Sequence, residues 1–170
     1  FFARSIDAEV NLTTECMVAA SKHDGLSVIE VLVNCMIFNN GTHKAFAGDK
    51  EVRAEHTITL RQGEKMLFGA NREKGLVFEN MRLKVVTVGE NGVTLDDILV
   101  HDAHEKDTMV HVMLASMKYP DFPVALGIIR DVAEPTYERE VARQIAEVQA
   151  TAKIKNVDDL LNSGETWEVE

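Results

Sequence analysis

The chain opens with a strand–helix–strand pattern, and this pattern constrains the fold more than any other feature. Small and apolar residues at Leu12, Cys16 and Ala19 recur at helical spacing between two short apolar segments. Gly25 supplies the stop signal expected at the end of a helix. Residues 26–32 are apolar and β-branched enough for a strand covered on both faces. Since a helix joining two such strands normally makes a parallel crossover, the pattern predicts an α/β fold.

Cys35, just beyond the second predicted strand, is the main candidate for chemistry. Ligands of open α/β sheets bind at the carboxyl ends of parallel strands, where this thiol would lie. Three alternatives stay open from the residues alone: a core thiol, a reactive thiol, and a ligand of a metal or iron–sulfur cluster. The chain has no Cys-x-x-Cys motif, so it cannot build a four-thiolate cluster by itself. Cys16, on the apolar face of its helix, is predicted to be a small buried hydrophobe.

The middle of the chain is predicted to be a polar loop followed by a small antiparallel sheet. Residues 39–56 are polar and contain Asn-Asn-Gly, which favours a loop or excursion. The turn Arg61-Gln62-Gly63-Glu64 separates two apolar segments, 57–60 and 65–68, as in a hairpin. Short strands around 76–78 and 83–88 are predicted to extend that sheet.

The last third is predicted to contain helices around one further strand. The predicted elements are a helix at 107–118, a strand at 124–132, a long helix after 136 and a short helix at 157–161. Thr136 is a plausible N-cap of the long helix. Val141, Ile145 and Val148 form an apolar stripe on it, which packs either on its own domain or on a neighbouring subunit.

Composition excludes several classes of protein. The formal net charge of the 170 residues is −10, which argues against a nucleic-acid partner because phosphate binding needs clustered Lys and Arg. The chain has no run of about 18 apolar residues, so no membrane span is expected. Two cysteines are too few for a disulfide framework and indicate a reduced, cytoplasmic protein. The start has neither an initiator methionine nor a signal pattern, and we expect a part of a longer chain.

Three histidines alternate with carboxylates near the predicted helix at 107–118. The group consists of His101, Asp102, His104, Glu105, Asp107 and His111. Its spacing matches no firm zinc pattern. The sequence therefore favours an exposed helix start, with carboxylates placed well for the helix dipole, over a metal site.

Seven segments together carry a specific resemblance to a known family. They are residues 2–5 (FARS), 23–32 (HDGLSVIEVL), 34–41 (NCMIFNNG), 99–102 (LVHD), 122–132 (FPVALGIIRDV), 135–137 (PTY) and 160–167 (LLNSGETW). Through them the whole chain resembles the C-terminal part of the β subunit of 2-oxoacid:ferredoxin oxidoreductases, most closely the 2-oxoglutarate type.

The resemblance implies both a domain organisation and a role for Cys35. Residues 1–40 would be the last part of a thiamine-diphosphate-binding domain, and residues 41–170 a C-terminal extension with a small antiparallel hairpin region and helices. In this family a fourth cysteine ligand of a 4Fe-4S cluster follows the strand that residues 26–32 match, so Cys35 is implied as a metal ligand. Asn34 and Asn39 are candidate orienting groups, the amides of Met36 and Ile37 candidate donors to the cluster, and the Phe38 ring a shield against water.

The resemblance also implies an activity and its partners. The complete enzyme would oxidatively decarboxylate 2-oxoglutarate to succinyl-CoA and reduce ferredoxin, using thiamine diphosphate, magnesium and the 4Fe-4S cluster. Its partners would be the α subunit, ferredoxin, the 2-oxoacid and coenzyme A, in a cytoplasmic hetero-oligomer. This chain alone is expected to be inactive because most cofactor-binding residues lie outside it. The alternatives are the same reaction on pyruvate or another 2-oxoacid, and a non-catalytic assembly module.

Overall fold

The computed structural model describes residues 1–165, 167 and 169, and shows a mixed α/β chain. Thr166, near the end of the last family-like segment, lies outside the described residues. The strands are β1 (Phe2–Ile6), β2 (Val28–Leu32), β3 (Thr57–Leu60), β4 (Leu67–Phe68), β5 (Lys74–Glu79), β6 (Arg82–Thr87) and β7 (Val124–Arg130). The helices are α1 (Val10–Ala20), α2 (Lys44–Ala47), α3 (Lys50–His56), α4 (Met109–Ser116), α5 (Tyr137–Thr151) and α6 (Val157–Leu161).

The larger sheet has the order β2-β1-β7-β3 and is partly parallel. β1 and β2 pair in parallel, with Phe2 opposite Val28 and Ile6 opposite Leu32, which confirms the predicted crossover through α1. β7 lies antiparallel to β1 on the other side. β2 was expected to be covered on both faces, and this is wrong for the chain described: β2 is an edge strand, and Val28 on it is exposed.

The predicted hairpin between residues 57 and 68 is also wrong. β3 pairs in parallel with β7, with Leu60 opposite Gly127. The turn after β3 leads instead to a crossing with the segment around His101, whose backbone exchanges hydrogen bonds with Gly63 and Glu64 at 2.8 and 2.9 Å. Alternating apolar residues fit either partner equally well, so the pattern alone does not select one.

The smaller sheet is antiparallel and has the order β4-β5-β6. β5 and β6 form a hairpin with Lys74 opposite Thr87 and Glu79 opposite Arg82. This confirms the predicted strands around residues 76–78 and 83–88 and the small antiparallel region. Residues 39–56, expected to be a loop, contain α2 and α3 as well, the latter capped by the Asp49 carboxylate on the Val52 amide.

Two apolar clusters hold the larger sheet from its two faces. The α1 side contains Ala3, Ile6, Leu12, Cys16, Val124 and Leu126. The other side joins that sheet to the smaller sheet and α4 through Ile58, Leu60, Met66, Phe68, Leu76, Leu83, Leu114, Met117, Ala125 and Ile129. Successive residues of β7 alternate between the clusters because strand side chains point to opposite faces.

The chain divides into two compact units, Phe1–Ala133 and Glu134–Glu170. The first contains both sheets and α1 to α4. The second contains α5, which the Thr136 hydroxyl caps as predicted by accepting from the Arg139 amide, and α6. The family-derived boundary between residues 40 and 41 stays a prediction. None of the described helices is long and apolar enough to cross a bilayer.

Candidate functional site

Cys35 lies beside the carboxyl ends of the two parallel strands. Because β1 and β2 pair in register, they end side by side at Ile6 and Leu32. Asp7, directly after β1, donates its backbone N–H to the Leu32 carbonyl at 3.1 Å. Its carboxylate accepts from the Asn34 amide at 3.0 Å. The chain thus leaves the sheet edge in a fixed direction immediately before the cysteine.

The Cys35 thiol is exposed and receives a backbone hydrogen bond. The Phe38 amide donates to Sγ at 3.5 Å. The amides of Phe38 and then Ile37 hold the pKa of Cys35 below its ordinary value, since hydrogen bonds to the charged form favour it. The core-thiol alternative is therefore wrong for the chain described. Donation from the amides of Met36 and Ile37 to the cluster sulfurs stays a prediction.

The loop from Asn34 to Gly41 closes through side-chain and backbone hydrogen bonds. Asn34 Oδ1 accepts from the Gly41 amide at 2.7 Å, and Asn34 Nδ2 donates to Asn40 Oδ1 at 3.0 Å. The backbone N–H of Asn39 donates to the Cys35 carbonyl at 3.1 Å. The Asn39 side chain points elsewhere and donates to the Thr42 hydroxyl at 2.9 Å. Of the two candidate orienting groups, Asn34 therefore spans the loop and Asn39 forms a local turn.

Three consecutive large apolar side chains directly follow Cys35 in the chain and are exposed. Met36, Ile37 and Phe38 are 71%, 86% and 90% exposed. Phe38 does not cover the sulfur in the chain described, and its role as a shield of the cluster stays a prediction. Adjacent exposed apolar side chains of this size are typical of surfaces that another polypeptide covers.

Cys16 confirms the prediction of a small buried hydrophobe. It is fully buried between α1 and the sheet, and burial raises the pKa of its thiol. Such a thiol is poorly suited to bind a metal or react, because both need the thiolate.

The helix start is exposed at Asp102, His104, Glu105 and Asp107, as expected, but two of the three histidines are buried. His101 and His111 are only 1% and 4% exposed. His101 donates from Nε2 to the Ile128 carbonyl, and His111 from Nε2 to the Asp102 carbonyl, both at 2.8 Å. His104 lies apart on the surface against the Asp131 carbonyl. His101 and His111 therefore serve as hydrogen-bonding core residues.

The described residues contain no group of three or more His, Cys, Asp and Glu side chains able to hold a metal. A cluster bound through Cys35 would take its other ligands from outside the described residues. Sequence reasoning missed Asp7 and Gly41 at this site. Asp7 had a signal, a carboxylate directly after a parallel strand, whereas the role of Gly41 depends on the loop geometry.

Comparison with known proteins agrees with the family resemblance. The chain is 32% identical over 173 residues to the 2-oxoglutarate oxidoreductase subunit KorB of Mycobacterium tuberculosis. The similarity covers all of this chain and 45% of that relative, so the chain spans a little under half of the relative's length. No family model and no solved structure matches. The similarity over the whole chain supports the resemblance that the motifs indicated, to part of a 2-oxoglutarate oxidoreductase subunit.

Proposed function

We propose that this chain is the C-terminal part of a β subunit in an enzyme that oxidatively decarboxylates 2-oxoglutarate to succinyl-CoA and reduces ferredoxin. Cys35 contributes one thiolate ligand to a 4Fe-4S cluster of that enzyme. The observation that carries the proposal is the exposed Cys35 thiol at the ends of two parallel strands, with a backbone amide donating to its sulfur. The similarity to the 2-oxoglutarate oxidoreductase subunit KorB supports the same reading.

The donor chemistry at Cys35 fits an iron–sulfur ligand. Cluster iron binds cysteine as the thiolate. The Phe38 and Ile37 amides, which lower the pKa of Cys35, stabilise that form. Cys16 is buried on α1, so the remaining three thiolates come from residues outside this chain. When bound, the cluster would supply one-electron transfer between the thiamine centre and ferredoxin.

The residues around Cys35 have two tasks under this proposal. The Phe38 amide donates to the Cys35 sulfur, and hydrogen bonds to cluster sulfurs influence the reduction potential. The side chains of Met36, Ile37 and Phe38 form an apolar surface beside the thiol. Covered by the rest of the subunit, this surface excludes water from the ligand sulfur, and burial is a second determinant of the potential.

The other cofactors and partners belong to the complete enzyme. The chain contains no glycine-rich phosphate-binding pattern, so we assign thiamine diphosphate and magnesium mainly to residues outside it. We also propose that the α subunit, ferredoxin, the 2-oxoacid and coenzyme A are its partners, in a cytoplasmic hetero-oligomer. The chain alone is expected to be inactive.

The test is a pair of cysteine variants in the complete enzyme. Cys35→Ser is expected to lower the iron content of the β subunit and to abolish 2-oxoglutarate-dependent ferredoxin reduction. Cys16→Ala is the matched control, since it removes the chain's other thiol from the core and should leave iron content unchanged. Unchanged iron and rate in Cys35→Ser would contradict the proposal and favour a non-catalytic assembly module. A higher kcat/KM for pyruvate or another 2-oxoacid would keep the reaction class and change the substrate.

A further inference from the structure

We propose that Asn34 is a positioning residue for Cys35: its carboxamide closes the loop that carries the thiol and thereby holds the Phe38 amide at the sulfur. The proposal rests on the proposed function only where it concerns an iron–sulfur cluster. Its consequence for the thiol itself is independent of any cofactor.

One side chain joins the two ends of the loop. Asn34 Oδ1 accepts from the Gly41 amide at 2.7 Å. Asn34 Nδ2 donates to Asn40 Oδ1 at 3.0 Å and to Met36 Sδ at 3.2 Å. The backbone of Asn34 is itself tied to Asp7 at the end of β1. The closure is thus anchored to the sheet.

Gly41 provides the backbone geometry that this closure needs. Its φ is +81°, in the left-handed region that other residues adopt only with strain. In that conformation its N–H is directed back at Asn34. A Cβ on Gly41 would meet no atom closer than 4.0 Å, so a substitution there perturbs the backbone conformation without a steric clash.

Hydrogen bonds, rather than packing, determine the shape of the loop. All residues from 35 to 41 are exposed, and Asn34 alone in this loop is half-buried. Inside the loop the Asn39 amide donates to the Cys35 carbonyl, and the Phe38 amide donates to Sγ. Without the closure, few contacts remain to keep Phe38 at the sulfur. We therefore expect the thiolate to lose stabilisation when Asn34 is truncated.

The first experiment measures the reactivity of Cys35 in the cluster-free complete β subunit. Its alkylation by iodoacetamide is followed at one fixed, near-neutral pH by peptide mass spectrometry, with the buried Cys16 as a reporter of intact folding. Losing one hydrogen bond to the thiolate predicts alkylation about two- to tenfold slower in Asn34→Ala near neutral pH. Gly41→Ala should slow it similarly, and the double variant no further. Asn39→Ala is the matched control and should react as the wild type does.

The second experiment uses the cluster-loaded enzyme. Asn34→Ala is expected to shift the midpoint potential of the cluster to more negative values and to alter its EPR spectrum, because a hydrogen bond at a ligand sulfur is lost. A purely structural role would lower yield or iron content without changing the alkylation rate of Cys35 or the spectrum of the intact fraction.

The outcomes separate this proposal from the proposed function. Unchanged alkylation rates in both Asn34→Ala and Gly41→Ala would overturn the positioning role, whatever Cys35→Ser does to the iron content. Slower alkylation with unchanged iron in Cys35→Ser would support the positioning role and contradict the cluster assignment.

Discussion

Arg130, the last residue of β7, donates from Nη1 to Nδ1 of the buried His111 at 3.0 Å. Because a guanidinium only donates, His111 Nδ1 must accept, and its Nε2–H donates to the Asp102 carbonyl. The neighbouring His101 likewise donates from Nε2 to the Ile128 carbonyl, and its Nδ1 is buried without a partner among the described residues. Both imidazoles are therefore held in the Nε2–H form.

The burial of His101 predicts loss of stability in acid. Desolvation, the largest effect, lowers the pKa of His101, and the nearby His111 and His104 act in the same direction against the Ile128 carbonyl and Asp102. The unfolded chain, with a histidine pKa of about 6.5, then binds protons more readily than the folded chain. Neutral His101 therefore makes its full contribution to the free energy of unfolding above that pH. This contribution is lost as the pH drops from there towards the folded pKa, by at most about 1.4 kcal/mol per pH unit. Urea titrations between pH 7.5 and 5.5 measure this slope.

His101→Gln should flatten the slope, because an amide retains a donor for Ile128 but does not titrate. His104→Gln, at an exposed position, is the matched control. The same slope in His101→Gln as in the wild type would contradict the assignment.

Gly127→Ala is expected to destabilise the larger sheet by at least about 2–3 kcal/mol. Gly127 has a φ of +94°, and a Cβ there would lie 2.5 Å from the Leu60 carbonyl oxygen on the adjacent strand β3. Gly63→Ala separates strain from clash, since Gly63 has a φ of +75° with no atom within 4 Å of a Cβ. Its cost should be about 1 kcal/mol. Equal urea midpoints for the two variants would show that the close approach to Leu60 is unimportant.

The ion pair between Arg4 and Glu30 should stabilise the fold less than the hydrogen bond from Arg4 to the Ala115 carbonyl does. Arg4 Nε lies 2.6 Å from Glu30 Oε2 across β1 and β2, and the carboxylate is exposed. Arg4 also donates to the Ala115 carbonyl near the end of α4 at 3.0 Å. Glu30→Gln is therefore expected to cost at most about 1 kcal/mol. Arg4→Met should cost about 1–3 kcal/mol, because it leaves that carbonyl without its donor. A larger loss for Glu30→Gln in denaturant titrations would reverse this order.

The apolar stripe of α5 should contribute little to the stability of the chain itself. Ile145 and Val148 are 51% and 61% exposed, and α5 has no buried residue. Ile145→Ser and Val148→Ser are expected to change the free energy of unfolding by less than about 0.5 kcal/mol. Ile129→Ala, in the core, should cost about 2–5 kcal/mol as the positive control. If either serine variant lost as much stability as Ile129→Ala, the stripe would pack on its own chain in solution, which is the alternative that the sequence left open.

Local patterns predicted most of the helices and the crossover between β1 and β2. Helical spacing and stop signals depend on neighbours along the chain, so α1, α4, α5 and α6 were found close to their observed positions. The position of Cys35 beyond β2 followed from the same local reasoning. The prediction of a loop at 39–56 was wrong because α2 and α3 are short and carry little apolar periodicity that would reveal them.

Which strands and hydrogen-bonding groups pair across long sequence distances was decided by the tertiary structure alone. The apolar alternation of β3 is satisfied equally by a hairpin partner and by β7, and only the packing of the whole sheet selects β7. The burial of His101 and His111 depends on carbonyl acceptors that the fold supplies. The sequence determined that a thiol follows a parallel strand. The closure of its loop by Asn34 and Gly41 required three-dimensional geometry, because hydrogen-bond direction and a positive φ are not visible in residue order.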